Sequence, residues 1–254
     1  RGLAKAWHMT SEEAGRKLRY DAFYDEARQI AEKLAAEHGE SPDVFSEHIR
    51  IAVAHNADDQ AETILFRVLR GTGTDGLAGI AYERKERGFS VIRPILDIPR
   101  KEIEEYCREH DLRPVEDHTN HQSIYTRNKI RLELLPELEK EYNENVRGAL
   151  LRLGRIAASD SDYLQQCAEE ALQEFLRETS SDEIVLERDG LAGLHEALRH
   201  RILLQSFARL GLASDISAER IAAADSIIEK KQAPKTVEFP RGYRVTVAGG
   251  LVHI

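Results

Sequence analysis

The chain has 254 residues, of which 41% are hydrophobic and 32% are charged, a composition typical of a globular protein with a core. No apolar run approaches the roughly 18 residues that cross a bilayer, and the 2 cysteines are too few for a disulfide framework, so we expect a cytoplasmic protein without a membrane partner. The net charge of −9 disfavours a nucleic-acid partner unless basic side chains are clustered locally.

Alternating helices and strands are predicted for the first half of the chain. Thr10 begins a capping-box pattern ahead of a helix that ends at Gly39. A buried strand is predicted at 49–54, and Asn56 is placed to cap the next helix, which stops near Gly71. The residues predicted to face the core from the first helix are Ala14, Leu18, Ala22, Ile30 and Leu34.

The next segment predicts a second strand at 90–95 and a helix that opens at Pro99. Residues 125–135 are predicted to be helical and to be interrupted by Pro136, where the composition changes. The predicted buried side of the helix after Pro99 contains Ile103, Tyr106, Cys107 and His110.

Long helical patterns dominate the second half. They are predicted at 143–177, 191–210 and 218–230, with short strands at 183–186, 236–239 and 243–247. Gly249 and Gly250 predict a hairpin after the last of these strands. We therefore predict an α/β fold, with a parallel-sheet domain over residues 1–135 and a mainly helical domain with a small β element over residues 136–254.

The segment 54–63 is the richest in polar side chains, at the point where a strand runs into a helix. Active sites of open α/β sheets lie at such carboxyl ends of strands. Asp59 and Glu62 are three residues apart, so both carboxylates share one helix face and could bind Mg²⁺ or an ammonium group. A simpler interpretation is that Asp58 and Asp59 complement the helix dipole.

A second polar segment contains Arg127 and Arg131, which lie four residues apart on one predicted helix face and suit phosphate recognition. We expect this basic stripe to lie apart from the two carboxylates. The alternative is a solvated face on which these arginines pair with Glu133 and Glu137. Arg19, taken by itself, is typical of a surface residue.

One pattern imitates a zinc site. Cys107 and His110, followed by His118 and His121, have the short spacings of zinc ligands, but the longer spacing of zinc fingers is absent. Burial of Cys107 and His110 on the apolar side of their helix is the preferred explanation.

Taken together, these segments resemble the tRNA(Ile)-lysidine synthetase family. Their order and spacing match that family over about residues 10 to 140, and the ordered set is far more specific than any one segment. The later residues resemble the family's helical domain more loosely. The matching segments are Leu18-Arg19-Tyr20, His55 to Thr63, Arg67 to Gly79, Arg93 to Leu96, Asp117 to Asn120 and Tyr125 to Pro136.

The resemblance implies the fold of an N-type ATP pyrophosphatase, also called a PP-loop domain. It implies that the wobble cytidine of a tRNA(Ile) with a CAU anticodon is adenylated from ATP with Mg²⁺. The ε-amine of L-lysine then displaces AMP to form lysidine. By the same resemblance, the catalytic residues are Asp59, Glu62 and Arg19, Asp59 is a metal ligand, and the residues that bind substrate or nucleotide are His55, Asp58, Arg127, Asn128 and Arg131.

The sequence departs from the family pattern in two ways. The phosphate-binding signature Ser-Gly-Gly-x-Asp-Ser does not occur in these residues, and Asn56 stands where many relatives have a second His. The chain begins at Arg1 and its 1 methionine is Met9, so we expect a piece of a longer protein whose phosphate-binding loop precedes Arg1. We expect this piece by itself to be inactive.

Two other functions remain open at this point. A PP-loop enzyme that thiolates cytidine in tRNA would carry paired cysteines, and Cys107 with Cys167 does not match that pattern. A non-catalytic fragment that binds RNA or a protein partner through its helical half is the second alternative.

Overall fold

The computed structural model describes residues 6–7, 9–115, 126–212, 214–230 and 235–254. The chain divides into two compact units between Ala157 and Ala158. The domain boundary predicted between residues 135 and 136 stays a prediction. Among the described residues, no helix is both long and apolar enough to cross a bilayer.

The amino-terminal unit combines helices with one small sheet. Its strands β1 (Arg50–Ala52), β2 (Glu83–Glu86) and β3 (Phe89–Ile92) lie in the order β1–β3–β2, with β1 and β3 parallel and β2 and β3 antiparallel. The elements, in chain order, are α1 (Ser11–His38), α2 (Pro42–Ser46), β1 (Arg50–Ala52), α3 (Ala57–Arg70), α4 (Thr74–Leu77), β2 (Glu83–Glu86), β3 (Phe89–Ile92), α5 (Arg100–Glu109), α6 (Thr126–Lys129), a π-helical turn (Ile130–Leu134), α7 (Leu135–Glu141) and α8 (Val146–Phe175), which contains the division between the units.

The predicted fold class is confirmed, and so are the Thr10 capping box and the helix end at Gly39. The predicted apolar side of α1 is confirmed at Ala14, is partly buried at Leu34 and is wrong at the other three positions, because much of the buried surface of α1 comes from tyrosine and alanine. Tyr24 is fully buried, and its ring lies 6.4 Å from that of Phe89 on the sheet. The buried side of α1 contains Ala14, Tyr20, Tyr24, Ala27, Ala31 and Ala35, whereas Leu18, Ala22 and Ile30 are exposed.

Two further predictions in this unit are wrong. Tyr106 of α5 and His110, which follows the end of α5, are exposed and stack on each other, with 4.0 Å between the ring centroids, so core packing does not explain them. Pro136 does not interrupt the helix that contains it. Because proline has no N–H, the preceding turn widens into a π-helix, and the amide of Leu135 donates to the carbonyl of Ile130.

The carboxyl-terminal unit is built on an antiparallel sheet of five strands, β4 (Leu176–Thr179), β5 (Ile184–Glu187), β6 (Lys235–Glu238), β7 (Arg244–Ala248) and β8 (Leu251–His253). Their order in the sheet is β4–β5–β8–β7–β6. One apolar core contains Leu172, Phe207 and Val252, all fully buried. Gly249 and Gly250, both at positive φ, form the predicted hairpin between β7 and β8. The elements are β4 (Leu176–Thr179), β5 (Ile184–Glu187), α9 (Arg188–Ala192), α10 (Glu196–Arg209), α11 (Ala218–Glu229), β6 (Lys235–Glu238), β7 (Arg244–Ala248) and β8 (Leu251–His253).

Candidate functional site

The predicted strand-to-helix junction is confirmed. Asn56 caps α3 by accepting a hydrogen bond from the amide of Asp59, at 3.1 Å, and the Asp59 carboxylate accepts one from the amide of Asn56, also at 3.1 Å. Asp59 and Glu62 then lie on one face of the first two turns of α3. The simpler interpretation therefore holds in part, because Asp59 does cap its own helix.

Arg127 and Arg131 contact these same carboxylates and not Glu133 or Glu137. Arg131 donates from Nε to Glu62 Oε1 at 2.6 Å, and from Nη2 to Glu62 Oε2 and to Asp59 Oδ1, both at 2.9 Å. Arg127 donates to Asp59 Oδ1 at 3.2 Å and to Glu62 Oε2 at 3.4 Å. The expectation that the arginines lie apart from the carboxylates is wrong. We call Asp59, Glu62, Arg127 and Arg131 the carboxylate–arginine cluster.

Burial strengthens this cluster. The Glu62 side chain is 1% exposed, so its charge requires a partner, and the two-pronged guanidinium of Arg131 matches both carboxylate oxygens. Burial by itself lowers the pKa of Arg131, but hydrogen bonding to Glu62 and the nearby charges of Asp59 and Asp58 outweigh burial and raise that pKa. Arg131 also lies in the π-helical turn, a distortion that recurs at functional sites.

Asp58 makes contacts that link helices within the amino-terminal unit. One oxygen accepts from the backbone amide of Arg100 at 2.8 Å, and the other accepts from Nη1 of Arg147 at 2.7 Å. Since Pro99 has no side chain that can cap α5, Asp58 supplies that cap from α3. Both oxygens of Asp58 thus have protein partners.

We expect Asp58→Asn to destabilise the protein by roughly 1–2 kcal/mol, since it removes a charge-assisted bond to Arg147 and weakens the cap of α5. Urea denaturation measures the change. Asp25→Asn is the matched control, because the pair of Asp25 with Arg28 is exposed and should be worth less than about 0.5 kcal/mol. Equal stability of the two variants would contradict the linking role of Asp58.

His55 and Arg93 meet just beyond the carboxyl ends of the parallel strands β1 and β3. Arg93, 3% exposed, donates from Nε to Nδ1 of His55 at 3.3 Å and from Nη1 to the carbonyl of Ala81 at 2.7 Å. Burial lowers the pKa of His55. The charge of Asp59 opposes this lowering, while nearby arginines reinforce it. No role is assigned to Arg93 from the sequence. A charged residue directly after a buried strand could nevertheless have indicated a site residue, because sites of open α/β sheets lie at the carboxyl ends of strands.

Two clefts lie beside these groups. One, of about 320 Å³, is lined by residues that include Arg16, Arg19 and His55. The other, of about 780 Å³, is lined by residues that include Glu62 and Arg127. Arg19 therefore lies beside His55, while Asn128 lies in α6 between the two arginines of the cluster.

The glycine-rich turn after α3 is held by side chains whose role the sequence did not reveal. Arg67 donates to the carbonyls of Gly76 and Gly79 at 2.8 and 2.6 Å. Gln60 accepts from the amide of Ile80 at 2.6 Å and donates to its carbonyl at 3.1 Å. These bonds fix the turn against α3, the helix that carries the carboxylates.

The zinc pattern cannot be followed in full, because His118 and His121 lie outside the described residues. Within the part of the chain that the structure describes, no group of three or more His, Cys, Asp or Glu side chains is arranged to hold a metal ion.

Comparison with known proteins identifies the fold and the family. A family model described as a PP-loop domain matches residues 3–138, and one described as the TilS substrate binding domain matches residues 186–249. Together with the parallel strands and the polar groups at their ends, the first match defines the amino-terminal unit as a PP-loop protein. The chain belongs to the tRNA(Ile)-lysidine synthase family, as the resemblance implied.

Three relatives show the extent of the match. The chain is 37% identical to the tRNA(Ile)-lysidine synthase of Clostridioides difficile over 92% of the chain and 46% of the relative. It is 34% identical to that of Clostridium tetani over 99% of the chain and 50% of the relative. For Thermosynechococcus vestitus the identity is 30%, over 99% of the chain and 71% of the relative. The chain spans about half the length of the two clostridial relatives.

Proposed function

We propose that the full-length protein converts the wobble cytidine of tRNA(Ile) with a CAU anticodon into lysidine. ATP loses pyrophosphate as the cytidine is adenylated, and the ε-amine of L-lysine then displaces AMP. Membership of the tRNA(Ile)-lysidine synthase family supports this assignment. The observation that carries it is the carboxylate–arginine cluster, which places ammonium-binding and phosphate-binding groups within one hydrogen-bonded set.

The chemistry suits these residue types. Asp59 and Glu62 can receive the ammonium group of lysine, whose ε-amine must lose a proton before it attacks. Arg127 and Arg131 can receive phosphate oxygens and stabilise charge on the leaving pyrophosphate. We assign Arg19, His55 and Asn128 to nucleotide or RNA contacts. The resemblance implies a substrate-binding role for Asp58 as well, but both of its carboxylate oxygens already accept bonds from Arg100 and Arg147, so we propose that it positions α5 and Arg147.

Mg²⁺ fits this site through the carboxylate oxygens of Asp59, which are the hard ligands that this ion prefers. In the present arrangement, however, two guanidinium groups occupy the same side chain. We therefore propose Asp59 as a ligand of Mg²⁺ that arrives with ATP phosphates, where the metal would neutralise phosphate charge.

The domain assignment follows the same proposal. Residues 1–135 contribute the nucleotide and lysine site, and residues 136–254 contribute to binding of the tRNA. Since tRNA and ATP are both cytoplasmic, we place the reaction in the cytoplasm.

We expect the purified full-length protein to transfer labelled lysine to a tRNA(Ile) transcript with a CAU anticodon, with one AMP released per lysine joined. A transcript with uridine at the wobble position is the matched control and should accept no lysine. Thiolation of cytidine would not require lysine, so AMP release without lysine would favour that alternative. A folded protein that neither releases AMP nor incorporates lysine would contradict the proposed function.

A further inference from the structure

The contact between Arg93 and His55 determines which ring nitrogen of the histidine carries a proton. An arginine guanidinium donates hydrogen bonds and cannot accept them. Because Nε of Arg93 points at Nδ1 of His55, Nδ1 must be the accepting nitrogen. In a neutral imidazole the proton then lies on Nε2.

Arg93 is fixed tightly enough to impose this choice. Its backbone amide donates to the carbonyl of Tyr82 at 2.9 Å, and its Nη1 donates to the carbonyl of Ala81 at 2.7 Å. The β-ladder continues beside it, since the amide of Val53 donates to the carbonyl of Ile92 at 3.0 Å. Arg93 and His55 are therefore held by adjacent parallel strands rather than by a loose surface contact.

The charges around His55 favour its neutral form. Burial lowers its pKa most, and the cations Arg16, Arg93 and Arg127 lower it further, whereas Asp59 raises it. Within the described residues, Nε2 of His55 has no hydrogen-bond partner, and the ring lines the cleft of about 320 Å³ beside Arg19. The N–H group at Nε2 is thus available to donate a hydrogen bond to a ligand.

We propose that Arg93 is a positioning residue that holds His55 as the Nε2–H tautomer, so that His55 offers a substrate acceptor atom a hydrogen bond and does not act as a base at Nε2. The tautomer itself follows from the Arg93 contact. The statement that a substrate receives the bond rests on the proposed function.

Nitrogen NMR of the full-length protein labelled with ¹⁵N-histidine tests the tautomer directly, because protonated and unprotonated ring nitrogens have well-separated shifts. The His55 signals are those that disappear in His55→Gln. We expect Nε2 of wild-type His55 to be protonated and Nδ1 to be unprotonated. The reverse assignment in the wild-type protein would overturn the proposal without any reliance on a variant.

Substitutions then test the role of Arg93. Arg93→Lys keeps a cationic donor and should keep the Nε2–H tautomer, whereas Arg93→Met should give a mixture of tautomers. Arg67→Met is the matched control, since Arg67 is partly buried and, like Arg93, donates to loop carbonyls, but it does not contact His55. Unchanged His55 signals in a folded Arg93→Met protein would overturn the proposal.

An activity assay tests whether the N–H at Nε2 of His55 donates a hydrogen bond to a substrate, which is a separate question from which tautomer is present. The amide nitrogen of Gln lies near the position of histidine Nε2, and that of Asn lies near Nδ1. We expect His55→Gln to retain roughly tenfold more kcat/KM for lysine transfer than His55→Asn. Equal losses would overturn the donor role. If the wild-type protein transfers no lysine, the proposed function fails, while the NMR result still decides the tautomer.

Discussion

Replacing Glu62 by Gln should abolish most lysine transfer in the full-length protein and lower its free energy of unfolding by roughly 2–4 kcal/mol. The carboxylate is 1% exposed and compensates Arg131 at 2.6 and 2.9 Å. Its loss leaves the partly buried guanidinium without its main partner. Because the same carboxylate group belongs to the proposed lysine site, stability and activity should fall together.

A double-mutant cycle separates this pairing from two independent effects. Glu62→Gln combined with Arg131→Met should be less damaging than the sum of the single changes, with a coupling of about 1.5–3 kcal/mol. The matched control is the cycle of Glu62 with Arg127, which is more exposed and lies 3.4 Å away, so its coupling should stay below about 1 kcal/mol. Strictly additive losses in both cycles would mean that the cluster does not act as one unit.

Removal of Asp225 in the carboxyl-terminal unit should destabilise the protein by about 3–5 kcal/mol. Asp225 on α11 pairs with Arg199 on α10, and their side chains are 10% and 7% exposed. Nη2 of Arg199 donates to Asp225 Oδ2 at 2.9 Å, and His200 lies 3.5 Å from the same oxygen. Asp225→Asn leaves a buried guanidinium uncompensated, which denaturant unfolding should register as a large loss.

The exposed pair of Asp215 with Arg241 provides the control for that experiment. Its side chains are 66% and 61% exposed, so Asp215→Asn should change stability by no more than about 0.5 kcal/mol. Replacing Asp225 and Arg199 together with apolar residues should recover part of the loss. Similar values for Asp225→Asn and Asp215→Asn would show that burial does not set the strength of the Asp225 pair.

Local patterns predicted the helices and the junction at Asn56, because a helix cap and the periodic spacing of apolar residues both depend only on a few neighbouring residues. The pairing of Glu62 with Arg131 joins residues 69 positions apart in sequence, and periodicity carries no information about such a contact. Strand β2 was missed for a related reason. Its residues, Glu83 to Glu86, are all charged, and they pair with β3 from an exposed sheet edge through the tight turn at Arg87 and Gly88.

The position of Arg93 shows a further limit of prediction from sequence. An arginine after an apolar strand is compatible with a surface residue or with a buried cation, and the choice depends on whether carbonyl and imidazole acceptors surround it. Those acceptors, Ala81 and His55, come from different parts of the chain. Parallel pairing of β1 with β3 brings His55 to Arg93, and antiparallel pairing of β2 with β3 brings Ala81 to it.

The carboxylate–arginine cluster is electrically balanced, with two negative and two positive side chains. A cation that displaced the arginines would leave the two guanidinium charges uncompensated. An anion that displaced the carboxylates would leave the two carboxylate charges uncompensated. A phosphate and an ammonium group that enter together can pair with the arginines and the carboxylates respectively, so that no charge of the cluster is left without a partner. Such an exchange of partners would favour simultaneous occupancy by both substrates over binding of either one.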